Sequence, residues 1–245
     1  EVFRHNDIHH AAEIVNERRA QNPHAMILTD SVFSMDGDLA PVPELLALAE
    51  RFGALLVLDE AHATGLLGDD GAGALSLLGI SDGPIVIVGT LSKALGAMGG
   101  FVAADQTLIS VLISRARSFI FNTALHAGAV AAALESIKLM EAEPWRRERS
   151  LSLARALRDG ILQRDFPPSN SVTQIVPLMI GDAEEALALD SRFREAGVLA
   201  RAIRPPTVPE GTSRIRFNVM ATHDEEDINH VLGILGSDLP PGLLS

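Results

Sequence analysis

The 245-residue sequence contains no cysteine. That one absence excludes disulfides, zinc fingers, thiolate-held iron–sulfur clusters and thiol nucleophiles together. Positive charge is scarce: Lys+Arg number 20 against 32 for Asp+Glu, giving a formal net charge of -12. No window supplies the basic footprint that a general nucleic-acid binder needs. Lysine is rarest of all, with only Lys93 and Lys138, so any lysine chemistry has two candidates. Apolar runs fall short of the roughly 18–20 residues that cross a bilayer, and neither a membrane nor a nucleic acid is expected as a partner. The opening residues, Glu1-Val2-Phe3-Arg4-His5-Asn6-Asp7, lack the basic start and apolar stretch of a signal peptide. They lack an initiator methionine too, so the chain is expected to begin inside a larger, cytoplasmic protein.

Apolar residues make up 47% of the chain and charged ones 21%, the balance of a globular protein with a sizeable core. Ala25-Met-Ile-Leu-Thr-Asp30, Ala54-Leu-Leu-Val-Leu-Asp59 and Pro84-Ile-Val-Ile-Val-Gly-Thr90 are short continuous apolar runs, each ending in a polar residue. Such runs predict strands of a parallel sheet buried on both faces. Between the first two lies Val42 to Phe52, an amphipathic helix with Gly53 as its stop, which completes a βαβ unit. Gly99 to Ala104 predicts a further strand and Thr107 to Arg117 a helix. The Ala- and Leu-rich run from Ala124 to Glu141 predicts a long buried helix, with Pro144 after it. A domain boundary is expected near residue 142, giving a large domain over 1–142 and a smaller α/β domain over 143–245. The second should hold a surface helix over Arg146 to Gln163, strands at Thr173 to Ile180 and Arg214 to Met220, and helices over Ala183 to Ala196 and Glu225 to Leu235.

Residues with chemical potential cluster at the carboxyl ends of these strands, where open α/β sheets bind ligands. The first cluster is Asp59-Glu60-Ala61-His62-Ala63-Thr64-Gly65. Asp-Glu-Ala-His after an apolar strand also occurs in helicases, but those require a Gly-x-x-x-x-Gly-Lys-[Ser/Thr] loop, and none is present. The second cluster is Gly89-Thr90-Leu91-Ser92-Lys93-Ala94-Leu95-Gly96. A lysine just past a buried strand, among small residues, suits Schiff-base chemistry better than a solvated surface. Thr90 and Ser92 add hydroxyls at what is expected to be a helix N-terminus, a ready phosphate site. Asp59, His62, Thr90 and Lys93 together match the needs of pyridoxal phosphate: a lysine for its aldehyde, a carboxylate for its ring nitrogen, a donor for its phenolic oxygen and hydroxyls for its phosphate.

Five stretches, spread over most of the chain, extend the match: Asp30-Ser-Val-Phe-Ser34-Met-Asp-Gly-Asp-Leu-Ala-Pro41, Asp59 to Gly65, Gly89 to Gly96, Arg117-Ser-Phe-Ile-Phe-Asn-Thr123 and Arg204-Pro-Pro-Thr-Val-Pro209. In these the chain resembles the α-oxoamine synthase family of fold-type I pyridoxal phosphate enzymes. The resemblance implies an α/β fold like that of aspartate aminotransferase, with a mostly parallel sheet in its large domain. It implies that Lys93 holds the cofactor covalently, Asp59 pairs with its ring nitrogen and His62 with its phenolic oxygen, while Ser34 contacts it and Thr90 binds its phosphate. Thr123 matches a residue reaching the phosphate of the neighbouring subunit, which implies a homodimer with a shared active site. Thr207 matches a substrate contact and Arg216 the partner of an amino-acid carboxylate, with Arg204 and Arg214 as rivals for that part.

The activity implied is decarboxylative condensation of an acyl-CoA or acyl carrier protein thioester with a small amino acid, the likeness being greatest to the branch using L-alanine and a pimeloyl thioester. A glycine-using ligase and a non-catalytic dimerising remnant are the alternatives. Two departures stand out. The family's preceding third, with a glycine-rich stretch and a histidine that stacks on the cofactor ring, has no counterpart here, and His5, His9 and His10 are expected to serve around a helix start instead. His126-Ala127 stands where the family often has two prolines.

Overall fold

The computed structural model describes residues 1–236, which fall into two compact units. The first comprises Glu1–Val32 and Leu39–Pro144; the second takes Trp145 onward together with the short segment Phe33–Asp38.

In chain order the first unit holds α1 (Ile8–Arg19), β1 (Met26–Asp30), α2 (Val42–Phe52), β2 (Leu55–Asp59), α3 (Ala74–Leu77), β3 (Ile85–Thr90), β4 (Gly100–Ala103), α4 (Gln106–Arg115), α5 (Arg117–Ile120) and α6 (Ala127–Ala142). The sheet order is β1-β2-β3-β4; the first two pairings are parallel, and β4 closes the edge antiparallel to β3. Helix α2 begins with Pro43 in its first turn and stops at Gly53, whose φ of 58° is the left-handed conformation a helix C-terminus favours. Its apolar face, Val42, Leu45, Leu48 and Ala49, is buried, and the helix packs on β1 and β2. Residues of a strand alternate between faces, and here Ile27, Leu56 and Leu58 are buried while Met26 and Leu28 remain 64% and 61% exposed. Burial on both faces, as the apolar runs suggested, is therefore not what this chain shows: α2 covers one face, and the outer end of the other is open. The expected burial of the long Ala-rich helix fails likewise. Of α6 only Ala133 is buried, and Val130, Leu134 and Leu139 are about half exposed. Composition marks a helix as apolar; it does not say whether the chain itself supplies the cover.

The second unit holds α7 (Trp145–Leu162), β5 (Ile175–Gly181), α8 (Ala183–Glu195), β6 (Arg201–Ile203), β7 (Ser213–Asn218) and α9 (Glu225–Gly236). Its antiparallel sheet runs β5-β7-β6. Leu153, Leu157 and Ile161 of α7, Leu189 and Phe193 of α8, and Ile228 and Leu232 of α9 join Val176, Leu178, Ile215 and Phe217 in one apolar cluster. Phe193 and Phe217 meet edge to face at 5.2 Å, a favoured aromatic geometry. The segment Phe33–Asp38 belongs to this unit because its turn is tied there: the Gly37 carbonyl accepts from the Val172 amide at 3.2 Å and the Thr173 hydroxyl at 3.0 Å.

Candidate active site

Parallel register decides what the strand ends present. Asp30 pairs with Asp59, and Asp59 with Val88. Register partners on parallel strands point to the same face, so Asp30 and Asp59 project side by side, on the face of Leu28 and Val57. Glu60, one residue on, takes the other side. It is 1% exposed and accepts from the Ser31 hydroxyl at 3.0 Å and from the backbone amides of Ala74 and Leu75. Burial raises its pKa above the ordinary carboxylate range, and the hydrogen bonds from Ala74, Ser31 and Leu75 oppose that rise. Asp59 remains half-buried, one oxygen accepting the Ala61 amide at 2.8 Å. His62 lies half-buried in the turn that follows.

The loop after β3 carries Lys93. Residues 91–99 form bends and turns, and the next helix, α4, starts only at Gln106. The expected helix N-terminus beside Thr90 is absent. Gly96 and Gly99, with φ of 58° and 122°, are placed where helical backbone would have to continue. The Thr90 and Ser92 hydroxyls instead bond each other at 2.7 Å, and Thr90 Oγ1 also donates to the Gly99 carbonyl at 3.2 Å. Lys93 itself is exposed. Gly65 allows this loop to approach the one after β2: a Cβ there would lie 2.6 Å from that of Ala94, next to Lys93, and its φ of +85° independently favours glycine. Asp59 and Thr90 thus end two neighbouring strands, and His62 and Lys93 stand in the loops that follow them, which touch at one end of the sheet.

Ser34 and Arg216 meet in the second unit. Arg216 Nε donates to the Ser34 carbonyl, and burial lowers the arginine's pKa from its usual high value. Arg214, two residues earlier on β7, is ion-paired with Asp36 and has a side chain only 5% exposed. Of the three arginines considered for carboxylate binding, Arg214 is thus committed to the 33–38 turn, whereas Arg204 is exposed. Thr207 is exposed beyond β6, its amide bonded to the Arg204 carbonyl at 3.0 Å. Thr123 is exposed between α5 and α6. His126 caps α6, its ring accepting from the Gly128 amide at 3.0 Å. His10 sits in the first turn of α1, its amide bonded to the capping Asp7 at 2.9 Å. Sequence reasoning passed over Asp30. The only sign of it was its place, at the end of a strand as Asp59 is.

A mostly parallel sheet with a carboxylate ending one strand and a lysine in the loop after the next has the architecture of the fold-type I pyridoxal phosphate-dependent transferases. The chain belongs to the aminotransferase class I and II family, which it matches over residues 2–235. It is 44% identical over 97% of its length to the 8-amino-7-oxononanoate synthase of Anaeromyxobacter dehalogenans (strain 2CP-C), covering 59% of that protein. The same enzyme of Geobacter metallireducens is 44% identical, over 96% of this chain and 60% of the relative. The solved serine palmitoyltransferase from S. paucimobilis with bound PLP–myriocin superposes with a TM-score of 0.87 at 32% identity, over 95% of this chain and 59% of that one. An 8-amino-7-oxononanoate synthase from Francisella tularensis gives a TM-score of 0.77 at 25% identity, over 90% and 65%. These are α-oxoamine synthases, as the sequence motifs indicated. The chain spans about three-fifths of the curated relatives it matches.

Proposed function

We propose that this chain is the greater part of a pyridoxal phosphate-dependent acyltransferase that joins an acyl thioester to the α-carbon of a small amino acid, releasing carbon dioxide and the free thiol. The observation that carries this reading is the shared end of the sheet on which Asp59 and Lys93 stand, reached by two loops that touch at Gly65 and Ala94. The residues suit the cofactor: Lys93 is an exposed amine, Asp59 keeps one oxygen clear of the Ala61 amide, and Thr90 and Ser92 offer paired hydroxyls. Pyridoxal phosphate, when bound, supplies a reactive aldehyde and an electron-accepting ring.

Lys93 would hold the cofactor, and its amine would serve as the base for the α-proton of the amino acid. Asp59 keeps a proton on the ring nitrogen, and His62 donates to the phenolic oxygen. Thr90 binds the phosphate, Ser34 contacts the cofactor and Thr207 the substrate. Arg216, half-buried with a lowered pKa, receives the amino-acid carboxylate. Thr123, exposed here, completes the phosphate site of a second subunit in a homodimer. The substrates are L-alanine and a pimeloyl thioester of coenzyme A or acyl carrier protein, the product 8-amino-7-oxononanoate and the setting cytoplasmic biotin synthesis; this rests on the identity to the Anaeromyxobacter and Geobacter enzymes.

The test is chemical trapping in the full-length protein. Borohydride reduction with pyridoxal phosphate, followed by peptide mass spectrometry, should place the adduct on Lys93. An adduct on Lys138, which lies on α6 bonded to Glu135 at 2.6 Å, or no adduct at all, overturns the reading. Turnover confined to glycine with acetyl-CoA would reassign the substrates to the sister ligase, and cofactor binding without turnover on any pair would leave a non-catalytic remnant.

A further inference from the structure

Strand β7 divides its side chains between two faces. Ile215 and Phe217 join the apolar cluster with α7, α8 and α9, so Arg214 and Arg216, which alternate with them, project from the opposite face. Two guanidinium groups then start from positions about 7 Å apart along one strand. Like charges withdrawn from water at that spacing each need a partner. Arg214, 4% exposed, has two: its Nη1 is ion-paired with Asp36, and its Nε donates to the Thr212 carbonyl at 3.0 Å. Arg216 has one, the Ser34 carbonyl, which accepts from its Nε. The two Nη atoms of Arg216 have no acceptor among the described residues.

Ser34 and Asp36 come from the same turn. Both lie inside the ring that the Gly37 amide closes on the Phe33 carbonyl at 2.8 Å, and the Phe33 amide reaches the Asp38 carbonyl at 3.0 Å. The turn also sits hard against β5: a Cβ on Gly37, whose φ is +71°, would lie 2.5 Å from the Ile175 carbonyl oxygen. So tight a ring leaves little freedom between its members, and fixing the Asp36 carboxylate fixes the Ser34 carbonyl as well. An arginine held through Nε presents its two Nη atoms as a fork, the geometry that matches a carboxylate.

We propose that Asp36 is a positioning residue for Arg216: paired with Arg214, it fixes the 33–38 turn so that the Ser34 carbonyl holds Arg216 Nε and both Nη atoms are left for a carboxylate. This rests on the assignment of Arg216 as the receiver of the amino-acid carboxylate. Of the two arginines on this face, Arg214 serves to anchor the turn and Arg216 to bind, and the Asp36 ion pair is what separates the two tasks.

The first readout uses full-length, cofactor-free protein labelled with nitrogen-15 arginine. Exchange of the Arg216 Nε proton with water is followed by NMR, its resonance identified as the one missing in Arg216→Gln. In Asp36→Asn that exchange should quicken about tenfold or more, the scale of one hydrogen bond to a charged group, and Asp36→Glu, which keeps the charge, should restore most of the protection. Asp36→Asn leaves Arg214 buried without its counter-ion and so endangers folding. The double variant Asp36→Asn with Arg214→Gln removes both charges and should show the same fast exchange. Wild-type exchange in either variant overturns the proposal. The second readout is kinetic, in the cofactor-loaded protein. The double variant should raise KM for the amino acid about tenfold while KM for the thioester stays within about twofold, a split that general loss of folded protein does not give. An unmoved amino-acid KM there, beside a raised one in Arg216→Gln, overturns the proposal. Unmoved values in both variants overturn the carboxylate assignment of Arg216, and the proposal with it.

Discussion

Asp59 and Glu60 are neighbours of the same charge with opposite roles, and strand alternation is the cause. Asp59 faces the end of the sheet that also carries Asp30, whereas Glu60 is enclosed with Ser31 and the amides of Ala74 and Leu75. Asp59→Asn should slow exchange of the amino-acid α-proton by about two to three orders of magnitude while cofactor binding falls far less, because an amide cannot keep the ring nitrogen protonated. Deuterium exchange followed by NMR in the cofactor-loaded protein checks this. Equal loss of binding and exchange would count against the role assigned to Asp59. For Glu60 the consequence is one of stability. Its folded-state pKa lies above the unfolded value, so its contribution is fully present below the unfolded pKa and declines as pH rises through the folded one. Above the ordinary glutamate value of 4.5, Glu60→Gln should therefore flatten the pH dependence of the denaturation midpoint. A wild-type and variant pair with parallel profiles would show that Glu60 does not titrate in this way.

Among the elements, α2 is the most completely determined by local signals. Its apolar positions at 42, 45, 48 and 49 are spaced for one face, and Gly53 ends it in the left-handed conformation that glycine adopts without strain. Leu45 is fully buried, so Leu45→Ala should destabilise the protein by about 2–5 kcal/mol, read from chemical denaturation. A loss below about 1 kcal/mol would mean that the α2 contact with the sheet is looser than described. The loop after β3 obeys a different logic. Its glycines prevent a helix, and the lysine is presented by turns whose hydroxyls bond each other. A phosphate arriving there would have to displace or share the Thr90–Ser92 bond.

For the molecule as a whole, the significant feature is apolar surface in the first unit. Phe119, Phe121, Leu125, Val130 and Leu134 are 65%, 77%, 44%, 51% and 54% exposed, all on or between α5 and α6 and flanking Thr123. Large contiguous apolar surface marks an interface more often than a solvated face, and this supports the proposed homodimer. Full-length protein should sediment as a dimer at micromolar concentration. Leu134→Glu should shift it towards monomer with little loss of protomer stability, since that side chain is already half exposed. A variant that still sediments as wild type would move the interface elsewhere. The span of about three-fifths of the curated relatives makes the full-length protein the proper object of all the activity measurements.

By itself the sequence determined the βαβ start, the extent of α2, the strand at Gly100–Ala103, most of the second unit's elements, and the motifs around Asp59 and Lys93. Each of these rests on neighbours in the chain: apolar period, glycine stops, and a polar residue closing an apolar run. Tertiary structure decided the rest. It set Asp30 beside Asp59 through strand register, directed Glu60 to the enclosed face, tied Arg214 to Asp36 and Arg216 to Ser34 across some 180 residues of sequence, and left α6 without cover. The physical reason is common to all four. Register, ion pairing and burial are properties of two segments brought together, and no local pattern in either one specifies its partner.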